Sequence, residues 1–69
     1  MSMISVNSSN LASVGYHDSN QSLYVQFNDG SLYTYHNVPK DLYTGLLNAP
    51  SKGSFLHTYV KGNYGYSKS

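Results

Sequence analysis

The stretch Ala49–His57, APSKGSFLH, sets a proline, two serines, a lysine and a glycine where a helix is about to begin. A helix start presents backbone N–H groups without intrahelical partners and the positive end of the helix dipole. Glycine lets a ligand approach the backbone, the serines add hydroxyl donors and the lysine adds charge, which together make phosphate chemistry the natural reading. Ser51, Lys52, Gly53 and Ser54 are therefore candidate phosphate contacts, with Lys61 as a further cation in the same half of the chain. The spacing is not that of a P-loop. The competing reading is structural: Ser51 caps the helix and Gly53 is small for packing.

Aromatic chemistry comes second. The chain has eight tyrosines and no tryptophan. A tyrosine ring can stack on a base, at roughly 1–3 kcal/mol per stacked base. Tyr16 and Tyr24 are the stacking candidates if an outer sheet face is used. Tyr35 and Tyr33 read as inward-facing residues that either complete the core or line a pocket. His36 stands at a strand end, within reach of such a ligand, and Tyr64 and Tyr66 could close over one or simply pack the tail. Catalysis is not expected. The three histidines lack an orienting partner, no nucleophile motif surrounds any serine, and the only carboxylates are the scattered Asp18, Asp29 and Asp41. With no cysteine and no compact ligand spacing, neither a metal nor another cofactor is expected.

The elements that must position these residues follow from pattern. Residues 11–17 read as a strand. Residues 22–28 alternate, with Leu23, Val25 and Phe27 on one face. Asn28-Asp29-Gly30 fits a type I turn with glycine in the left-handed conformation, the three-residue hairpin with a bulge. That turn pairs Phe27 with Ser31, Val25 with Tyr33 and Leu23 with Tyr35, in a third strand of about 31–37. Pro39 opens a helix over 39–48, which Gly45 weakens and Pro50 ends. A second helix starts at Ser51, carries Phe55, Leu56, Tyr59 and Val60 as an apolar stripe, and stops near Gly62. The tail from Asn63 is expected to begin ordered and to fray. The fold class is thus α+β: a three-stranded antiparallel β-meander followed by two short α-helices packed on one sheet face, in a single domain with its core at about 5–66.

Composition sets bounds on function. The chain has 69 residues, a formal charge of +1 and 10% charged residues, which disfavours strong binding to long nucleic acids. No long apolar run exists, so no membrane segment is expected, and the polar start MSMISVNSS suggests a cytoplasmic protein. A small domain without disulfide or metal often gains stability by association, so a homo-oligomer is expected.

The segments VNSSNLASVGYH, LYVQFNDGSLYTYHNVP and APSKGSFLHTYVKGNYGY resemble the KTSC family. The resemblance covers roughly residues 5–66. It rests on Tyr33-Thr34-Tyr35 with Val38-Pro39, and on the spacing of Ala49, Ser51, Gly53, Phe55, Val60 and Tyr64. His17 and His57 depart from it, standing where an acidic residue and an asparagine are expected. The family is named for a domain at the C-terminus of some lysyl-tRNA synthetases and also occurs as small bacterial and phage proteins. The resemblance implies the fold just derived. For function it implies a choice between an RNA-binding module and, by analogy with small phage proteins of similar make-up, a non-enzymatic protein that sequesters a nucleotide-type signal such as a cyclic nucleotide or an ADP-ribose derivative, as an anti-defence device. Sequestration of a nucleotide-type small molecule is the leading expectation. A protein–protein module, using the outer sheet face or edge, is the third reading.

Overall fold

The computed structural model describes residues 3–69; the first two residues of the polar start lie outside the described residues. Five antiparallel strands run side by side in chain order: β1 (Ile4–Ser5), β2 (Leu11–His17), β3 (Ser22–Phe27), β4 (Leu32–Tyr35) and β5 (Tyr66–Lys68). Between β4 and β5 the chain crosses the sheet through α1 (Lys40–Asn48), α2 (Lys52–Phe55) and a π turn at Leu56–Val60. The fold is α+β with the helices on one sheet face, but the sheet has five strands where the sequence predicts three. β1 and β5 are two and three residues long, too short to carry a period, and every residue in both is exposed. They join the sheet through backbone pairing, to which β5 adds the Tyr66 ring against Tyr33 and Tyr35. The tail does not fray: Tyr66 pairs with Tyr35, Ser67 with Thr34 and Lys68 with Tyr33, and Ser69 N–H donates to the Leu32 carbonyl at 2.8 Å.

The predicted hairpin register holds. Leu23 faces Tyr35 and Val25 faces Tyr33. Gly30 N–H donates to the Phe27 carbonyl and Phe27 N–H to that of Ser31, both at 2.9 Å, and Gly30 takes φ +92°, the left-handed conformation that only glycine adopts without strain. Asp29 Oδ1 accepts from Ser31 N–H at 2.9 Å and from Ser31 Oγ at 2.6 Å, which closes the turn.

β2 departs from simple alternation. Leu11 pairs with Phe27 and Ser13 with Gln26, so one extra residue is held between them as a bulge. The bulge resets the parity of the strand. Leu11, Val14 and Tyr16 all reach the inner face, opposite Phe27, Val25 and Leu23. On that face Leu11, Val14, Leu23, Val25, Tyr35, Val38, Leu46, Leu56 and Val60 form one buried core.

The helices fit the sheet through small residues and caps. Ser51 Oγ accepts from Ser54 N–H at 3.4 Å, as a cap should. Gly45 costs α1 about 1 kcal/mol of helix propensity relative to alanine. Its value is proximity: a Cβ there would lie 2.8 Å from Cζ of Phe55, so α2 could not sit as close. After Phe55 the helix widens, and Lys61 N–H donates five residues back to the Leu56 carbonyl at 2.9 Å. Such single π turns are rare and frequent at functional sites. No helix among the described residues is long and apolar enough to cross a membrane.

Three packed tyrosines make the fold sensitive to alkali. Burial raises the phenol pKa of Tyr16, Tyr35 and Tyr43 above the ordinary 10.0; for Tyr16 the Asp18 carboxylate adds to the effect, and for Tyr35 the neighbouring Tyr33 and Tyr66 do. A phenol held neutral in the folded state stabilises it fully below pH 10.0 and loses that contribution as pH rises through the raised value. Thermal stability should therefore fall as pH rises above about 10.

Candidate functional site

The sheet, its hairpin turn and the end of the π turn border an open cavity of about 640 Å³. That lies within the usual range for small-molecule sites, roughly 300–1,000 Å³. Ser9 and Asn10 enter from the loop before β2. Phe27, Asn28, Asp29 and Ser31 come from the hairpin, Tyr33 and Tyr35 from β4, Lys61 and Gly62 from the helix end, and Tyr66 from β5. The loop and the hairpin are tied together: Asn28 N–H donates to the Asn10 carbonyl and Asn28 Nδ2 to the Ser9 carbonyl, both at 2.9 Å.

One wall is aromatic, with Tyr33 at its centre. The Tyr33 ring meets Phe27 edge-on at 5.3 Å between centroids, lies near-parallel to Tyr35 at 6.3 Å and tilts against Tyr66 at 5.5 Å. Such pairs prefer these offset and edge-on geometries, which fix the rings before any ligand arrives. Tyr35 is buried, whereas Tyr66 is 61% exposed and offers ring area to a ligand. Lysines sit over the wall: Lys61 Nζ lies 5.4 Å from the Phe27 centroid and Lys68 Nζ 5.8 Å from that of Tyr33. Both are long, flexible cations that can swing to an anion while their stems stay on the rings.

A second hollow, of about 310 Å³, shares Asn10 and Lys61 with the first. Its other lining residues are Gly53, Ser54, His57 and Thr58. Its polar side chains are an amide, two hydroxyls, an imidazole and an ammonium.

The ten candidate residues scatter against this geometry. Tyr35 and Lys61 line the main cavity, and Gly53, Ser54 and Lys61 line the adjoining hollow. Ser51 and Lys52 line neither. Ser51 Oγ is committed to its cap, and Lys52 Nζ folds back to the Ala49 carbonyl at 3.2 Å, on its own side of the helix start. Gly53 also has a packing role: a Cβ there would lie 3.1 Å from Asn10 Nδ2, so its smallness seats Asn10. Tyr16 is not an outer-face platform. The β2 bulge turns it inward, where its hydroxyl donates to the Val38 carbonyl and its ring stacks on Tyr43 at 5.2 Å. Tyr24 does stand on the outer face, opposite Gly15, but half-buried and away from the cavity. His36 is exposed, with Nε2 at 3.0 Å from Ser67 Oγ, and Tyr64 packs against the core.

The lining residues that sequence reasoning misses are those of the loop before β2, the hairpin turn and Gly62, while Tyr66 reads from the sequence as a residue that could close over a ligand or pack the tail. Asn28, Asp29 and Ser31 reach the cavity because the turn that sets the register also forms its rim. Tyr66 arrives only because β5 pairs with β4.

At neutral pH the cavity carries both charges. Hydrogen bonds from the Ser31 hydroxyl and then its N–H hold the Asp29 carboxyl below its ordinary 3.8, so it stays ionised. Burial keeps the Tyr35 phenol neutral. His17 Nδ1 contacts only the nearby Ser19 hydroxyl, and among the described residues no group of three or more His, Cys, Asp or Glu is placed to hold a metal. The arrangement can stack a planar ring, hydrogen-bond its edge and pair with an anion.

Comparison with known proteins gives one consistent result. The model of the KTSC domain matches residues 7–64. Lysine–tRNA ligase of Trichormus variabilis is 40% identical over 53 residues, which is 77% of this chain but 9% of the ligase, so this chain spans only a small part of those enzymes. An uncharacterised protein of Stutzerimonas stutzeri is 38% identical over 61 residues, covering 88% of this chain and 86% of its own. The crystal structure of a KTSC domain protein from Yersinia pestis superposes with a TM-score of 0.93 at 33% identity, covering 99% of this chain and 96% of that one. Matched in sequence over most of its length and in structure over nearly all of it, the chain belongs to the KTSC domain family.

Proposed function

We propose that this domain is a non-catalytic binding module for a nucleotide-type ligand, and that a free-standing copy acts by sequestering it. The observation that carries the reading is the cavity itself: an aromatic wall with an exposed ring, a lysine and a polar rim, opening beside a polar hollow that shares Lys61. The base stacks on Tyr66 and Tyr33. Lys61 leaves the Phe27 ring for the phosphate, which points to the hollow of Ser54, His57 and Thr58. This moves the phosphate off the Ser51–Lys52 end of the helix start.

Titration with single nucleoside monophosphates, followed by tyrosine emission, tests it. Tyr66→Ala should cost roughly 1–3 kcal/mol of binding, the worth of one stacked base. Lys61→Ala should weaken binding about tenfold, or about 1.4 kcal/mol. Lys52→Ala should bind like the unaltered protein. Equal losses at Lys52 and Lys61 would return the phosphate to the helix start.

The tRNA ligase relatives favour a second reading, in which the cavity takes one splayed base of a single-stranded RNA. Salt separates the two. RNA affinity falls steeply with salt as counterions are released, whereas a pocketed mononucleotide responds less.

A further inference from the structure

The hairpin rim of the cavity has an unusual hydrogen-bonding character. Ser31 Oγ donates its one proton to Asp29 Oδ1 at 2.6 Å. A hydroxyl whose proton is committed in this way can only accept from a ligand. Asp29 is an ionised carboxylate and also only accepts. Both hydrogen bonds from Ser31 fall on Oδ1, so neither occupies Oδ2. Asp29 and Ser31 both line the cavity, and as hydrogen-bonded here their two side chains offer acceptors and no donor.

Among the common bases only guanine matches that edge. Its N1–H and N2 amino group are adjacent donors. Adenine and cytosine offer one donor beside an acceptor, and uracil one donor between two acceptors, so each would set a lone pair against the carboxylate or the hydroxyl. A guanidinium group also has two adjacent donors, but it is a cation, and Lys61 and Lys68 already stand over the aromatic wall. A guanine nucleotide instead brings an anion to Lys61.

We propose that the cavity selects guanine, with Asp29 and Ser31 reading its Watson–Crick edge while the ring stacks on the tyrosine wall. This rests on the reading of the cavity as a nucleotide site. It adds the identity of the base, which neither the aromatic wall nor the lysine determines.

Calorimetric titration with GMP, IMP, AMP, CMP and UMP tests it. GMP should bind more tightly than AMP, CMP or UMP by about fivefold or more, the discrimination that a bidentate edge contact supplies. IMP, which keeps N1–H but lacks the amino group, should fall between GMP and AMP. Asp29→Asn retains an Oδ1 acceptor for Ser31 and so preserves the turn, but replaces Oδ2 with a donor. It should lower GMP affinity by about fivefold or more and raise AMP affinity, because the amide donor now meets the adenine lone pair. Equal affinity for all five nucleotides would overturn guanine selection and leave the cavity reading standing. Selection for another base would overturn it in the same way. No binding by any of the five would overturn both.

Discussion

Leu56→Ala should remove most of the protein's stability and lower its urea midpoint sharply. Leu56 is 1% exposed and sits where α2 passes into the π turn, in a core shared with Leu11, Val14, Leu23 and Val25 of the sheet. Truncating a buried leucine removes its transfer free energy and leaves a cavity, at about 2–5 kcal/mol. A chain of 69 residues has roughly 3–10 kcal/mol in total at about 0.05–0.15 kcal/mol per residue, and small domains lie toward the low end. The loss therefore consumes most of the stability. Leu56 also accepts the hydrogen bond that defines the π turn, so relaxation there would release Lys61 from its place beside the cavity. Far-UV circular dichroism and urea titration check this. A variant with native signal and an unchanged midpoint would show that the two halves of the core do not depend on one another.

Removing residues 66–69 should have a different profile: the fold persists and nucleotide binding falls by about fivefold or more. β5 contributes no buried residue, so the core of Leu23, Val25, Leu46 and Val60 remains intact. What is lost is the ladder to β4, the Ser69–Leu32 hydrogen bond and the Tyr66 ring, which lies 5.5 Å from Tyr33 and 5.8 Å from Tyr35. Losing one stacking ring accounts for about fivefold or more in affinity, and the exposed β4 edge adds a tendency to associate. A truncated protein that melts cooperatively yet has lost ligand would separate wall from core. Full affinity in that protein would place the ligand elsewhere.

The hairpin was legible because two independent signals agree on it. Alternation in Ser22–Phe27 gives the face, and Asn28-Asp29-Gly30 gives the turn that sets the register. The cap at Ser51 was legible for the same kind of local reason. The site was less legible because non-local events assemble it. Parity counted from Leu11 sends Tyr16 outward; a bulge with no sequence mark turns it inward. A polar YSK segment carries no strand period, yet it delivers Tyr66 to the wall. The π turn before Lys61 has no signature either, and it decides which lysine of the second half reaches the cavity. Gly45 and Gly53 read as a helix weakness and a ligand opening, and only the structure sets Phe55 and Asn10 against them.

The central claim is that the cavity beneath the hairpin turn holds a nucleotide. Its most direct test is an NMR amide titration of the whole protein with an equal mixture of the four ribonucleoside monophosphates, followed residue by residue. Saturable shifts gathered at Asn28, Ser31, Tyr33, Lys61, Gly62 and Tyr66 are the predicted result. Shifts centred on the outer face at Tyr24, Thr34 and His36, or no saturable shift at all, would contradict it.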